Sequence, residues 1–311
     1  MKLESAEKKE LGAVILAGGE GSRLRPLTRR ITGRDIPKQF CPLLGTTTLL
    51  EETRRRVALA ISPRATVTVV TRSHECFYEP LLADARPESV LAQPANRGTA
   101  PAILCGLMKL AESNPTGTVA VFPSDHYVSD DGAFMRHVQL AVRTVEAWSK
   151  RTVLLGAKPT APEVGYGWIE ASDPLTFAGP PDAVYKVRQF WEKPSLDTAC
   201  RLLKLDHMWW NTFVMVARLP TLLELFMRAL PRIYVNFMEA TSNMREQLGN
   251  RTMERLFEKL PSIDFASGAL AKYPMDLAVA PLSDVEWSDL GEPIRVVELL
   301  TRKGIRPEWA A

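Results

Sequence analysis

No stretch of the 311 residues is long and apolar enough to span a bilayer, and the charged opening MKLESAEKKE stands where a secretory signal would need an apolar core. Both absences point to a cytoplasmic protein with no membrane partner. Cysteine is scarce: the four residues, Cys41, Cys76, Cys105 and Cys200, are scattered without a C-x-x-C pair. That spacing excludes a zinc knuckle or dithiol centre, and the thiols read as reduced core or near-core groups. There are also only four histidines, and His126 has no second histidine at metal-site spacing. Nor is one sign of charge in excess. With 39 basic against 36 acidic residues the net charge is +3, too small for a nucleic-acid coat, so any basic patch must be local. Internal repeats, low-complexity segments and Gly/Ser-rich linkers are missing too, which favours one composite domain.

What is present is apolar content, 46%, enough for a full globular core, and an alternation of element types. GAVILA (12–17), ATVTVVT (65–71), SVLAQ (89–93), TVAVFPSD (118–125) and TVLLGAKP (152–159) are short runs rich in Val, Ile, Leu and Thr, as expected of strands buried on both faces. Helical patterns lie between them, over 46–61, 98–113, 130–149 and 195–205, as a doubly wound parallel sheet requires. Within TTTLLEETRRRVALAI (46–61) the threonines offer N-caps. Leu50, Val57, Ala58 and Ile61 fall on one face there, and Arg54, Arg55 and Arg56 read as a solvated face. Further strands are expected in 184–194 and 210–219, a helical block over 220–260, and a final helix about 292–303.

The first strand runs into VILAGGEGSRLRP (14–26), where glycines break an apolar run and two arginines follow at once. Glycine lets a backbone take positive φ and approach a ligand closely, and N–H groups on such a turn can cradle an anion. Two phosphate motifs fail here. A dinucleotide fingerprint needs a third glycine where Leu24 stands, which argues against a nicotinamide dehydrogenase, and a Walker A loop needs a lysine much nearer than Lys38. What remains is G-G-x-G-x-R-L followed by Pro37-Lys38-Gln39, with Arg23, Arg25, Arg29, Arg30, Arg34 and Lys38 crowded against only Asp35. In an open α/β sheet such a loop lies at the strand carboxyl ends, where ligands bind.

LAGGEGSRLRPLTR…PKQF resembles the signature of the sugar-phosphate nucleotidyltransferases, and within them the mannose-1-phosphate guanylyltransferases. The resemblance continues through QPANRGTAPAI (93–103), FPSDHYVSD (122–130), KPTAPEVGYGWIE (158–170), FWEKP (190–194), WWN (209–211), SIDFA (262–266) and VEWSDLGE (285–292). It implies an α/β, Rossmann-like nucleotidyltransferase fold, with a mainly parallel twisted sheet and helices on both faces. The single domain would cover 1–311, with a nucleotide half at about 10–160 and a sugar-phosphate half at about 161–295. The implied reaction moves a nucleotidyl group from a nucleoside triphosphate, GTP by overall similarity, to a sugar 1-phosphate such as mannose 1-phosphate. Because a phosphate monoester is already ionised near neutral pH, the attacking group needs no base. The chemistry calls instead for cations, positioning and Mg²⁺.

By the same resemblance Asp125 and Asp289 carry Mg²⁺, Arg23 and Lys38 hold the triphosphate, and Lys193 holds the sugar phosphate. Leu16, Ala17, Gly18, Gly19, Gly21, Ser22, Gln93, Gly98 and Thr99 match nucleotide-binding positions. Gly167, Glu192, Asn211 and Asp264 match sugar-binding ones. Trp168, Trp209 and Trp210 could line the sugar pocket or belong to the core. Three departures stand out. Asn211-Thr212-Phe213 replaces the family's usual Asn-Ser-Gly, Asn96-Arg97-Gly98 exchanges the glycine and asparagine of a common G-R-N, and no β-helix or isomerase domain follows the final helix. The base therefore stays open to uridylyl or thymidylyl transfer, and a non-catalytic nucleotide-sugar sensor remains an alternative. A monomer or homodimer is expected.

Overall fold

The computed structural model describes residues 10–175, 183–244, 249–307 and 309. Its strands in chain order are β1 (Leu11–Leu16), β2 (Thr66–Thr71), β3 (Val90–Gln93), β4 (Thr118–Pro123), β5 (Tyr127–Val128), β6 (Thr152–Ala157), β7 (Gly167–Pro174), β8 (Tyr185–Glu192), β9 (Met208–Arg218), β10 (Leu277–Pro281) and β11 (Trp287–Ser288). Nine of them form one sheet in the order β3-β2-β1-β4-β9-β6-β10-β8-β7, and β5 pairs with β11 in a small ribbon. The β1–β2, β1–β4, β2–β3 and β6–β10 ladders are parallel. Strand β9 runs antiparallel between β4 and β6, and β8 antiparallel between β10 and β7. Seven strands thus point one way and two the other.

Alternation along the buried strands divides the core. Ala13 and Ile15 of β1 face one apolar layer and Val14 the other. The first layer is closed by Leu50 and Val57 of helix Leu49–Ala58 and by Phe134, Val138 and Val145 of helix Asp131–Ala147. The second is closed by Ile103 and Leu107 of helix Thr99–Ala111 and by Leu222 and Phe226 of helix Leu219–Ala229, with Phe237 and Phe257 behind them. Helices on both faces make this an α/β/α arrangement. A third cluster packs Val296, Leu299 and Leu300 of helix Pro293–Lys303 on Leu24, Leu27, Leu43 and Leu290, so the chain's last helix covers the loop that follows β1. No helix among the described residues is long and apolar enough to cross a membrane.

Thr48 caps helix Leu49–Ala58 in a capping box with Glu51, as the threonine cluster suggested. Its arginines depart from expectation. Arg56 is buried, paired with Asp131 at 2.5 Å and seated over the Phe134 ring, while Arg54 binds Asp84 and the Leu81 carbonyl; only Arg55 is exposed. Ala58, placed on the inward face, is exposed. For Arg56 the cause is helix Asp131–Ala147, which packs against it and brings its own acid, whereas Arg54 is held by the segment at 81–84. Cys76 is exposed rather than near the core. Strands β7 and β10 escaped the periodicity because GWIEASDP carries Gly, Asp and Pro, and LAVAP is only five residues long.

Candidate functional site

The glycines after β1 are held by what surrounds them. A Cβ on Gly18 would lie 2.8 Å from Thr71 Oγ1, whose hydroxyl donates to the Gly18 carbonyl. Gly21 takes φ +59°, and a Cβ there would stand 2.8 Å from the Lys38 nitrogen. Gln39 ties the turn from below, donating Nε2 to the Ala17 and Gly19 carbonyls at 3.1 and 2.8 Å. Leu16 ends β1, and Gly19, Ser22 and Arg23 lie on the turn that follows. Gln93, at the end of β3, is buried beside this turn with no partner on its Oε1 among the described residues.

Most of the basic crowd is neutralised on the surface. Arg25 pairs with Glu20, Arg29 with Asp35, and Arg34 lies over the Phe77 ring. Arg23 pairs with Glu292 at 2.8 Å on an exposed rim. Lys38 alone turns inward, with 8% of its surface exposed. Its ammonium donates to the Asp289 carbonyl at 2.5 Å and stands 3.2 Å from Asp125 Oδ2.

Asp125 follows β4 and Asp289 follows β11, so the two aspartates meet at one cation although 164 residues separate them in sequence. Asp289 Oδ1 accepts from Tyr166 (2.8 Å), Arg295 (2.6 Å) and the Gly291 N–H (2.8 Å). Arg295 is itself held by Glu163 at 2.5 Å. Burial pushes the Asp289 carboxyl up, but Lys38 and Arg295 outweigh it and hold the group below the ordinary value of 3.8. His126 receives Trp287 Nε1 on Nδ1 and lies 3.5 Å from Asp125. Burial lowers its pKa to about 4, so it is neutral at physiological pH. Tyr166, Glu163, Arg295 and Trp287 were not singled out from the sequence. The only local signal was their membership in KPTAPEVGYGWIE and VEWSDLGE and, for Arg295, the helix that follows.

A second group lies at the ends of β7, β8 and β9. A Cβ on Gly167 would stand 3.0 Å from Glu192 Oε2 and 3.2 Å from Asn211 Cβ, so the three residues form one wall. Glu192 is pushed up by burial, a shift that Lys193 only partly offsets. Lys193 lies 3.4 Å from Glu192 and 3.5 Å from Asp264, and its N–H donates to the Tyr166 carbonyl. Tyr166 thus touches both groups. Asp264 accepts from Thr99 Oγ1 at 2.5 Å, linking a position expected on the nucleotide side to the Lys193 side. Gly98 is required where it is: at φ +85° its Cβ would collide with the Ile263 carbonyl at 2.4 Å. Trp168 and Trp210 are core residues, packed edge to face, whereas Trp209 is half-buried.

Asp125 and Asp289 are a sparse donor set for a metal, and among the described residues no group of three His, Cys, Asp or Glu could hold one. Two carboxylates nevertheless suit Mg²⁺, which keeps waters and takes substrate phosphate oxygens. The fit is supported by the Lys38 ammonium, a cation that already meets the Asp125 carboxylate and the Asp289 main-chain carbonyl, and by Asp289 Oδ2, which has no hydrogen bond among the described residues.

A sequence model of the nucleotidyl transferase family matches residues 12–301. The xanthan biosynthesis protein XanB of Xanthomonas campestris pv. campestris is 31% identical over 294 residues, 94% of this chain and 60% of that protein. A mannose-1-phosphate guanylyltransferase of Escherichia coli K12 is 32% identical over 292 residues, 91% of this chain and 58% of that protein. This chain therefore spans about three fifths of the length of these curated relatives. A crystal structure described as mannose-1-phosphate geranyltransferase from Thermus thermophilus superposes with TM-score 0.75 at 31% identity, over 91% of this chain and 76% of that one.

Proposed function

The chain belongs to the nucleotidyl transferase family, and from that premise we propose that it transfers a guanylyl group from GTP to mannose 1-phosphate, releasing pyrophosphate and GDP-mannose. The observation that carries this reading is the meeting of Lys38, Asp125 and Asp289 beside the glycine turn. The choice of guanine and mannose follows the Escherichia coli relative.

The glycine turn, residues 16–23, cradles the triphosphate with its N–H groups, and Gln93, Gly98 and Thr99 lie toward the base. Lys38 offsets charge on the triphosphate as pyrophosphate departs, and Arg23 adds charge from the rim after exchanging its Glu292 partner for phosphate. Asp125 and Asp289 would hold Mg²⁺, which when bound draws charge from the phosphate oxygens. Lys193 holds the sugar phosphate beside the α-phosphate, and Glu192, Asn211 and the bare backbone at Gly167 meet the sugar. Asp264 orients Lys193. No proton need be removed from the attacking oxygen, in keeping with a neutral His126 that is engaged by Trp287.

We assign the work to one domain in the cytoplasm, acting as a monomer or homodimer on small molecules and not on nucleic acid. The test is pyrophosphate release from the purified chain with Mg²⁺, crossing GTP, UTP, dTTP, ATP and CTP with mannose, glucose and other sugar 1-phosphates. GTP with mannose 1-phosphate is expected to turn over fastest. Binding of GDP-mannose with no turnover for any pair would replace the enzyme by a sensor.

A further inference from the structure

Backbone at Phe213 lies in left-handed space, φ +60°, a conformation that a bulky side chain adopts only where its surroundings impose it. Four contacts impose it here. The Phe213 N–H donates to Asn211 Oδ1 at 3.0 Å. Thr212, fully buried, donates Oγ1 to the Leu155 carbonyl at 2.8 Å and accepts from the Val214 N–H at 3.3 Å. The Phe213 side chain is half-buried against the apolar layer on that face of the sheet. All of this falls where β9 slips register against β6, between Leu154 and Gly156.

The slip has a chemical result at Asn211. A backbone N–H can bond only to the amide oxygen, so the carboxamide is oriented, with one lone pair of that oxygen engaged. The amino end takes no part in that bond and can meet a ligand. Across Gly167 from the Asn211 side chain stands the Glu192 carboxylate, so this wall offers amide donors and a carboxylate acceptor, groups suited to sugar hydroxyls. We infer that Phe213 is a positioning residue for sugar recognition: its ring anchors the irregular turn of β9 that holds Asn211 with its amino group toward the substrate. The inference rests on the transferase reading above. Glycine at 213 would take the same φ freely but has no ring to anchor the turn, and alanine supplies neither the ring nor the backbone freedom.

The test is steady-state kinetics of Phe213→Gly, Phe213→Ala and Phe213→Leu, with circular dichroism and melting curves to establish folding. For Phe213→Gly the KM for the preferred sugar 1-phosphate should rise about tenfold or more, beyond any fall in kcat. Its selectivity between mannose and glucose 1-phosphates should narrow, while KM for the nucleoside triphosphate stays within about twofold. Phe213→Leu, which keeps an apolar anchor, should recover most of the sugar KM. Unchanged sugar KM and selectivity in a folded Phe213→Gly would overturn the inference, as would equal losses for sugar and nucleotide. If the glycine and alanine variants do not fold, Phe213→Asn, which tolerates left-handed backbone but supplies no apolar anchor, decides it by the same split between sugar and nucleotide KM. A wild-type chain that turns over no pair sinks the transferase reading and this inference with it, whereas a working wild type with an indifferent position 213 sinks this inference alone.

Discussion

Asp289 receives three hydrogen bonds on one oxygen, so its position is set before any ligand arrives. Its charge, more than its shape, is what an amide would remove. Asp289→Asn and Asp125→Asn should each lower turnover by about a hundredfold to ten-thousandfold, the equivalent of several kcal/mol at 1.36 kcal/mol per tenfold, with unchanged circular dichroism. Near-normal pyrophosphate release from either folded variant would remove that residue from the mechanism. Lys193→Ala removes one charge-assisted contact worth about 1.5–3 kcal/mol, so kcat/KM for the sugar 1-phosphate should drop roughly tenfold to a hundredfold. Triphosphate affinity measured alone should hold, and the reverse pattern would exchange the two halves of the site. Glu192 carries a pH signature. Burial raises its carboxyl above the ordinary 4.5, so between that value and the raised one the native chain binds more protons than the unfolded chain. Its stabilising contribution is present below pH 4.5 and is lost as pH rises through the native value. Urea titrations at several pH values should therefore show wild type losing stability relative to Glu192→Gln across that window, and a constant difference would refute the shift.

At the scale of elements, the informative failure is helix Leu49–Ala58. Its arginine run looks solvated because sequence periodicity knows only the helix's own axis, whereas Arg56 meets Asp131 and Phe134 of helix Asp131–Ala147. Arg56→Ala strips a buried guanidinium from that helix pair and opens a gap over Phe134. The Asp131 side chain, 38% exposed, can recover water, so the loss should fall at about 2 kcal/mol, short of the roughly 3–5 expected where the abandoned partner is fully buried. A urea midpoint that does not move would show that the contact contributes nothing. The start of helix Leu49–Ala58 was easier to read: the threonines before it offered an N-cap, and Thr48 supplies it.

Across the whole molecule, the nine-stranded sheet carries most of both groups of site residues, the β5–β11 ribbon brings Asp289 to them, and helix Pro293–Lys303 closes the cluster beneath the glycine turn. Two thiols report on the integrity of that packing. Burial pushes Cys41, in the cluster under the last helix, and Cys105, on helix Thr99–Ala111, up to about 12. At pH 8 both stay almost wholly protonated, and the thiolate is the reactive form. Iodoacetamide followed by peptide mapping should mark exposed Cys76 quickly and leave Cys41 and Cys105 unmodified until denaturant is added. Early modification of Cys41 would mean that the last helix opens readily.

By itself the sequence determined seven of the nine strands of the sheet, the main helices between them and the glycine turn, because apolar alternation, capping and positive φ are local demands that the chain states where they occur. It also indicated Lys38, Asp125, Lys193 and Asp289 as chemistry-bearing residues, through motifs that keep their order along the chain. What only the tertiary structure decided is which groups are left free to act. Lys38 reaches the Asp289 carbonyl across 251 positions, and Thr99 reaches Asp264 across 165. Arg23, Arg25 and Arg29 are paired with acids at the surface, while the carboxamide of Asn211 is oriented by its own strand. A side chain's charge, orientation and freedom depend on the neighbours that packing brings to it, and for this site most of those neighbours come from distant segments of the chain.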